Sequence, residues 1–210
     1  MGLSARVRSK LAQGQTPDAQ EMLEMLRKTA AQAERAGKVI RRIREFVKRS
    51  EPERRPCEVS AIVADAVGLA EIDAQRLGVS IDVRTAPDIP TLSADPILIE
   101  QVLLNLMKNG IEAMRDAAHR RLALDITRRD GMIEFAVTDA GKGLAPDARE
   151  KLFEPFFTTK AEGMGIGLNI CRSIVESHQG RLWVEDNAGD GCTFRFTLPA
   201  PERTAVARAA

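Results

Sequence analysis

The sequence lacks a charge excess of either sign. It has 31 lysine and arginine residues against 30 aspartate and glutamate residues, for a net charge of +1. The molecule as a whole therefore offers no electrostatic reason to bind nucleic acid or a membrane surface. Any anionic ligand must be held by a local group of residues.

Cysteines are few, and long apolar runs are absent. Cys57, Cys171 and Cys192 are odd in number and too widely spaced for a metal cluster, which favours reduced thiols in a cytoplasmic protein. No apolar stretch approaches the roughly 18 residues that a membrane-spanning helix needs, and the segment Met1 to Leu11 is basic without the apolar stretch of a signal peptide. We expect a cytoplasmic chain with no membrane segment and no nucleic-acid partner.

The composition is that of a globular protein able to bury a core. Hydrophobic residues make up 44% and charged residues 29% of the 210 residues, which argues against disorder as the main state. This length suits one compact domain with a helical appendage.

The appendage is predicted from a heptad pattern between Asp18 and Arg49. Its seam consists of Met22, Leu26, Thr29, Ala33, Ala36, Ile40, Ile43 and Val47. Spacings of four and three alternate, as in a coiled coil. A single surface helix would also show this pattern, but the narrow stripe of small residues favours helix–helix packing. With a broken helix before Gly14, residues 1–50 are predicted to be the remnant of an antiparallel hairpin that dimerises through residues 19–49.

A charged, proline-punctuated linker is predicted over residues 51–57, a domain over 58–199 and a disordered tail over 200–210. The predicted helices begin at Val59, at Asp95–Pro96 and after a glycine-rich loop between Gly141 and Gly167. The predicted strands are Val79–Arg84, Leu122–Thr127, Met132–Asp139, Arg181–Glu185 and Thr193–Leu198. Helices that alternate with antiparallel strands predict a two-layer α/β sandwich.

Polar residues recur on one face of the helix that follows Pro96. Asn105 and Asn109 lie four residues apart, opposite an apolar face. A neutral amide oxygen can complete the coordination of Mg²⁺. Taken alone, a solvated surface is the more common reason for this pattern.

Two glycine motifs follow strands or enter them. Asp139 ends a strand just before Gly141 and Gly143, where a carboxylate can accept from an exocyclic amino group and glycine lets a flat ring approach the backbone. A simple Asp–Gly turn explains this motif equally well. The segment Gly189–Thr193 is either a tight turn or a second wall of the same pocket.

A phenylalanine-rich segment precedes a glycine-rich helix start. Phe153–Lys160 contains three phenylalanines, and Gly163–Leu168 follows it at once. Main-chain amides at a helix N-terminus suit a polyphosphate, and Lys160 can add positive charge. The aromatic cluster could be core alone, but the neighbouring glycines favour a hinged lid.

In this order and at these intervals, the four motifs resemble the asparagine box, first glycine box, phenylalanine box and second glycine box of sensor histidine kinases. The resemblance covers about Cys57 to Pro199, and the helical part resembles the second helix of the family's dimerisation hairpin. Glu154–Lys160 and Gly163–Leu168 are similar to the oxygen-sensor and dicarboxylate-sensor branch. The resemblance implies a histidine-kinase-type ATPase fold, with a mixed sheet packed on helices and preceded by the hairpin remnant.

The resemblance also implies ATP and Mg²⁺ as cofactors and a response regulator as partner. Asn109 would ligate Mg²⁺, Asn105 would help order the metal and the phosphates, and Asp139 would bind the adenine amino group. The remaining implied site residues are Gly141 and Gly143 at the adenine pocket, Lys160, Gly165, Gly167 and Leu168 in the lid and phosphate-binding helix start, and Thr193 near the far wall.

The chain departs from the family pattern at two points. Gly110 follows Asn109 where the family usually has alanine, which should soften the helix by up to about 1 kcal/mol. No histidine lies in the helical segment to accept the phosphoryl group: His119 is expected at the surface and His178 at a helix end. We therefore expect nucleotide binding without self-phosphorylation, with the acceptor upstream or in trans.

Two other functions remain open. The chain could be a nucleotide-binding regulatory or dimerisation module that transfers nothing. It could also be an ATP hydrolase of the gyrase and mismatch-repair type, but that class expects a glutamate general base at the position of Asn105.

Overall fold

The computed structural model describes residues 9–10, 12–14, 18–31, 37, 52–158 and 165–201. The chain divides into two compact units, Met1–Ser50 and Glu51–Ala210. The predicted tail after residue 201 lies outside the described ranges, and the predicted linker limits stay a prediction. None of the helices within those ranges is both long and apolar enough to cross a bilayer.

The N-terminal unit contains a helix over residues 19–31. Asp18 stabilises its start, because Asp18 Oδ1 accepts from the N–H of Gln20 at 3.4 Å. Met22 and Leu26, which begin the predicted seam, have 42% and 57% of their surface exposed. Thr29 is also exposed, and the seam residues from Ala33 to Val47 lie outside the described residues.

The C-terminal unit alternates helices and strands. In chain order its elements are β1 (Arg55–Cys57), α1 (Val59–Leu77), β2 (Ser80–Thr85), β3 (Leu92–Ala94), α2 (Pro96–Ala113), β4 (Arg121–Arg129), β5 (Met132–Thr138), α3 (Pro146–Lys151), α4 (Gly167–Ser177), β6 (Arg181–Asp186) and β7 (Cys192–Pro199). Five strands form a mixed sheet in the order β2-β4-β5-β7-β6. β2 pairs with β4 in parallel, and the other neighbours are antiparallel.

One face of the five-stranded sheet is apolar and carries the helices. Alternate side chains of its strands are buried, and the rings of Phe135 and Phe196 stack with centroids 4.5 Å apart on adjacent strands. The apolar stripe of α2 packs against α1 and α4 as well as the sheet. The predicted two-layer sandwich with a mixed sheet is confirmed.

The opposite face of the sheet is polar. Arg195 on β7 pairs with Glu134 on β5 at 2.6 Å and with Glu185 on β6 at 2.7 Å. These cross-strand pairs leave this face suited to water rather than to a second layer of helices.

The ends of α2 and α4 meet at a buried histidine. Asp95 caps α2, with Oδ1 accepting from the N–H groups of Ile97 at 3.1 Å and Leu98 at 3.3 Å. His178 follows α4; its Nδ1 lies 2.8 Å from Ile174 O, and its Nε2 accepts from Asp95 N at 3.1 Å. A carbonyl only accepts, so Nδ1 carries the proton and the ring is neutral. The expectation of a structural role for His178 fits this position.

Three short elements were not foreseen. β1 lies in the predicted linker and pairs with β3, and α3 lies inside the predicted glycine-rich loop. β1 and β3 have 3 residues each and α3 has 6, less than two helical turns, so none of them shows enough hydrophobic periodicity to be recognised in the sequence.

We predict that His178→Gln removes a component of the pH dependence of stability. Burial lowers the pKa of His178, which Arg54 lowers further, whereas the Ile174 carbonyl and Asp95 raise it. In the unfolded chain the imidazole titrates near its ordinary pKa of about 6.5. The neutral ring therefore stabilises the fold above that pH, and this contribution is lost as the pH falls below it.

Urea unfolding at several pH values measures the effect. The free energy of unfolding should fall less steeply between about pH 7 and pH 5 in His178→Gln than in the wild type. His119→Gln, at the exposed second histidine, is the control and should follow the wild type. Equal slopes for His178→Gln and the wild type would contradict the assignment.

Candidate functional site

Asp139 directly follows β5 and has 4% of its surface exposed. Its N–H donates to Cys192 O at 3.0 Å, and its Oδ1 accepts from Gly141 N at 2.9 Å. Its Oδ2 lies 3.3 Å from the Cys192 sulfur. Burial raises the pKa of the Asp139 carboxyl, and the donors at Gly141 and Cys192 oppose that rise. Asp139 is therefore a buried acceptor with a fixed orientation.

Glycines bring α2 close to the segment after β5. A Cβ added to Gly110 would lie 3.2 Å from Asp139 Cβ, and one added to Gly141 would lie 2.8 Å from Ala113 O. Because Gly110 directly follows Asn109, the C-terminal half of α2 and Asp139 meet at one place. This contact brings the predicted asparagine motif and first glycine motif together.

The two glycine motifs also meet. Gly191 has a φ of 90°, and a Cβ there would overlap the carbonyl oxygen of Asp139. Gly143 has a φ of 68°, and its Cβ position is 3.5 Å from Gly191 O. Side chains are disfavoured at both positions, which explains why glycine occurs in both turns.

Thr193 is buried in a hydrogen-bond network beside Asp139. Its Oγ1 lies 3.0 Å from Thr138 Oγ1 and donates to Asn187 Oδ1 at 2.7 Å. Asn187 Nδ2 in turn donates to Asp139 O at 2.9 Å. Thr193 thus supports the main chain that carries Asp139.

Asn105 and Asn109 are half-buried and lie one turn apart on α2. Burial raises the pKa of the Cys171 thiol on α4 to about 12, and the neighbouring Asn105 side chain opposes that rise. The roles of both amides toward metal and phosphate stay predictions.

The phenylalanine segment is attached to α4. Asn169 Nδ2 donates to Phe153 O at 3.1 Å, and the guanidinium of Arg172 lies 5.7 Å from the centre of the Phe153 ring. Further along, the N–H of Phe156 donates to Gly165 O at 2.9 Å. This last bond joins the two ends of the segment that holds residues 159–164.

The described part of the predicted lid ends in a helix start without a side-chain cap. Gly165 has a φ of 65° and contacts the Phe156 main chain so closely that a Cβ would overlap it. Gly167 begins α4 with open space around its Cβ position, and Leu168 follows it half-buried. The first amides of α4 have no intrahelical partner, so they can bind an anion. Lys160 lies outside the described residues.

Comparisons with known proteins agree with this geometry. Residues 94–202 match the family described as histidine kinase-, DNA gyrase B-, and HSP90-like ATPase. The chain belongs to this family. Sensor protein FixL of Bradyrhizobium diazoefficiens is 43% identical over 196 residues, which cover 93% of this chain and 39% of that protein. The C4-dicarboxylate transport sensor protein DctS of Rhodobacter capsulatus is 40% identical, over 91% of this chain and 29% of that protein.

Solved structures place the chain among histidine kinase catalytic domains. The catalytic domain of histidine kinase ThkA superposes with a TM-score of 0.62 and 29% identity, over 70% of this chain and 95% of that one. Full-length ShkA in complex with AMPPNP superposes with a TM-score of 0.63 and 29% identity, over 71% of this chain and 31% of that one. The C-terminal unit is an ATP-binding catalytic domain of the sensor histidine kinase type. The chain spans well under half the length of FixL and DctS.

The donor groups of this histidine-kinase-type site fit a magnesium–nucleotide complex. Within the described ranges, no cluster of three histidine, cysteine or acidic side chains could hold a metal ion by itself. The neutral amides of Asn105 and Asn109 suit a Mg²⁺ ion that brings water and phosphate oxygens with it. The buried Asp139 carboxylate suits an amino donor, because a carboxylate would repel a phosphate.

A separate cavity of about 320 Å³ lies between β1, α1 and the start of α2. It is bordered by Arg55, Glu58, Asp65, Ile97 and Glu100 among others. None of the predicted nucleotide-site residues lines this cavity.

Two residues of the histidine-kinase-type site were not assigned a role from the sequence. Cys192 was interpreted only as a reduced thiol, although its place between Gly191 and Thr193 put it inside a predicted motif. No local sequence pattern indicated a role for Asn187, because its contact with Asp139 joins residues 48 positions apart.

We predict that Gly191→Ala strongly destabilises the domain and abolishes nucleotide binding. A φ of 90° and the overlap with Asp139 O should together lower the free energy of unfolding by roughly 2–4 kcal/mol. Denaturant unfolding and titration with a fluorescent ATP analogue measure the two effects.

Gly189→Ala is the matched control in the same turn, since nothing lies within 4 Å of its Cβ position. It should leave stability within about 0.5 kcal/mol of the wild type. Equal effects of the two substitutions would contradict the close approach at Gly191.

Proposed function

We propose that this chain binds ATP with Mg²⁺ and transfers the γ-phosphoryl group to a histidine outside its own sequence. The observation that carries the proposal is the meeting of three elements at Asp139: the asparagine-bearing end of α2, the turn after β5 and the entry to β7. A glycine lies at each contact, Gly110, Gly141 or Gly191, and a Cβ at Gly141 or Gly191 would overlap main-chain atoms. Such close backbone approach beside a buried acceptor suits a flat base with an exocyclic amino group.

Asp139 would accept a hydrogen bond from the adenine amino group. Gly141 and Gly143 would shape the adenine pocket, and Thr193 would support its far wall through Asn187. The buried network makes this end of the site rigid, which favours one orientation of the base.

Asn109 would supply a Mg²⁺ ligand and Asn105 would order the metal and the phosphates. Mg²⁺, when bound with ATP, neutralises charge on the β- and γ-phosphates. The residues of the lid and helix start would surround the phosphates: Lys160, Gly165, Gly167 and Leu168. The uncapped amides of α4 would add donors for the same oxygens.

Neither histidine of the chain suits the acceptor role. His178 is buried, with both ring nitrogens in hydrogen bonds. His119 lies in the segment after α2 of the catalytic domain and not in the predicted hairpin, where the resemblance places the acceptor. Transfer to an external imidazole breaks the bond between the γ-phosphorus and its bridging oxygen, forms a nitrogen–phosphorus bond and releases ADP. The protein contributes placement and charge neutralisation.

We further propose that the chain forms a homodimer through the helix over residues 19–49 and serves a response regulator in the cytoplasm. The exposed Met22 and Leu26 at the start of the seam support a helix partner. The sensor proteins FixL and DctS, which are more than twice as long, support a larger signalling protein.

Hydrolysis of the gyrase type is less well supported. That mechanism needs a general base where this chain has Asn105, and an amide does not take up a proton at neutral pH.

We predict that Asp139→Asn weakens ATP binding by at least about tenfold, because a hydrogen bond to a charged acceptor contributes about 1.5–3 kcal/mol. Isothermal titration with Mg²⁺ present measures the change. Asp125→Asn is the control, since Asp125 pairs with Arg84 on the polar sheet face. Unchanged affinity in Asp139→Asn would contradict the adenine site.

We predict phosphoryl transfer in trans. The chain, incubated with labelled ATP, Mg²⁺ and a separate hairpin that carries the family's acceptor histidine, should label the hairpin and not itself. Asn109→Ala should reduce that label at least about tenfold, as expected for loss of a metal ligand. ATP binding without transfer would favour a regulatory module, and steady phosphate release without acceptor would favour a hydrolase.

A further inference from the structure

Cys192 contacts Asp139 through both its main chain and its side chain. It begins β7 directly after Gly191, and 4% of its surface is exposed. Its carbonyl accepts from Asp139 N at 3.0 Å, and its sulfur lies 3.3 Å from Asp139 Oδ2. The thiol is thus held against the carboxylate by the strand that carries it.

The thiol is the donor in this contact. Burial raises the pKa of Cys192, and the negative charges of Asp139 and Asp186 raise it further, while Arg149 opposes them. The sulfur therefore keeps its proton, and an ionised carboxylate can only accept. Asp139 Oδ2 receives the S–H, and Oδ1 receives the N–H of Gly141 at 2.9 Å.

These two donors fix the rotation of the carboxylate about its Cα–Cβ and Cβ–Cγ bonds. On the other side, α2 approaches with Gly110, whose Cβ position is 3.2 Å from Asp139 Cβ. Glycine has no side-chain donor. Among the contacts that the structure describes, the Cys192 thiol is the side-chain group that holds Asp139 Oδ2. Each carboxylate oxygen keeps a further lone pair for a ligand.

The other two cysteines differ in their surroundings. The Cys57 thiol faces the carbonyl oxygens of Leu92 at 3.4 Å and Ala94 at 3.9 Å. Cys171 is fully buried beside Asn105. A cysteine that only fills space needs no polar partner, whereas the sulfur of Cys192 contacts the carboxylate that the proposed function assigns to the base.

We propose that Cys192 is a positioning residue for base recognition: its S–H holds the Asp139 carboxylate as an acceptor for the exocyclic amino group of the purine. The proposal rests on the proposed function, since it assumes that Asp139 meets that amino group. Removing the S–H then weakens binding of an amino-bearing base and leaves the rest of the nucleotide contacts unchanged.

The experiment compares Cys192→Ala with Cys192→Ser, two variants of nearly equal size that differ by a hydroxyl donor. Each is titrated with Mg²⁺–ATP and with the triphosphate of purine riboside, which has hydrogen in place of the amino group. Cys57→Ser, distant from Asp139 along the chain, controls for loss of a thiol. Thermal melting establishes that each variant is folded, and Cys192→Val repeats the removal with a larger side chain if the alanine variant does not fold.

The wild type should bind ATP at least about tenfold more tightly than the purine riboside triphosphate, as expected for one charged hydrogen bond. In Cys192→Ala this ratio of affinities should fall at least about threefold, as expected for one weakened hydrogen bond. The fall should come from weaker ATP binding, because the affinity for the analogue should not change. Cys192→Ser should keep the ratio within about twofold because its hydroxyl replaces the donor.

Two results would overturn the inference while leaving ATP binding intact. An unchanged ratio in Cys192→Ala would show that the thiol does not position Asp139. An equal loss of both nucleotides in the alanine and serine variants would show a purely structural role. Failure of the wild type to bind either nucleotide would instead contradict the proposed function itself, and the inference with it.

Discussion

The buried carboxylate of Asp139 is the constraint on which the arrangement of the site depends. A charge with 4% exposure is costly unless donors surround it. Those donors come from the turn after β5 and from the start of β7, and they must approach within hydrogen-bond distance. Gly141 and Gly191 allow that approach, because a Cβ at either position would contact main-chain atoms.

The helices that pack on the sheet are also held together by specific contacts. α2 is joined to the end of α4 by the hydrogen bond from Asp95 N to His178 Nε2, and the two helices pack against each other. The asparagine-bearing helix and α4 are therefore fixed to each other. Phe156 and Gly165, which follow α2 and precede α4 in the chain, are joined by a main-chain hydrogen bond.

The sequence was most informative where local chemistry determines conformation. Asp95–Pro96 predicted the start of α2, and the structure shows the cap. Asp130–Gly131 predicted the hairpin between β4 and β5, and both residues have positive φ, as a two-residue turn requires. The motif around Asp139 placed an acid at a strand end because a strand and a glycine turn are both local features.

Contacts between residues that are distant in the sequence could not be predicted from the sequence. β1 pairs with β3 across 35 or more residues, and neither strand is long enough to show an alternating pattern. Asn187 and Cys192 reach Asp139 only because β5, β7 and β6 are neighbours in the sheet. Strand order cannot be read directly from one sequence. The segment that contains Cys192 could be predicted as a possible wall of the Asp139 pocket, but the contacts of Asn187 and Cys192 with Asp139 could not.

Position 110 illustrates how a local rule and a tertiary contact can oppose each other. Helix propensity favours alanine over glycine in the interior of α2 by about 1 kcal/mol. In this chain, however, a Cβ on Gly110 would lie 2.6 Å from Leu122 Cδ1 and 3.2 Å from Asp139 Cβ. The leucine methyl group can rotate away, but Asp139 is held by hydrogen bonds to its main chain and to both carboxylate oxygens. Glycine at position 110 therefore weakens the helix but leaves Asp139 undisturbed. At this position the residue type suits the site better than it suits the helix.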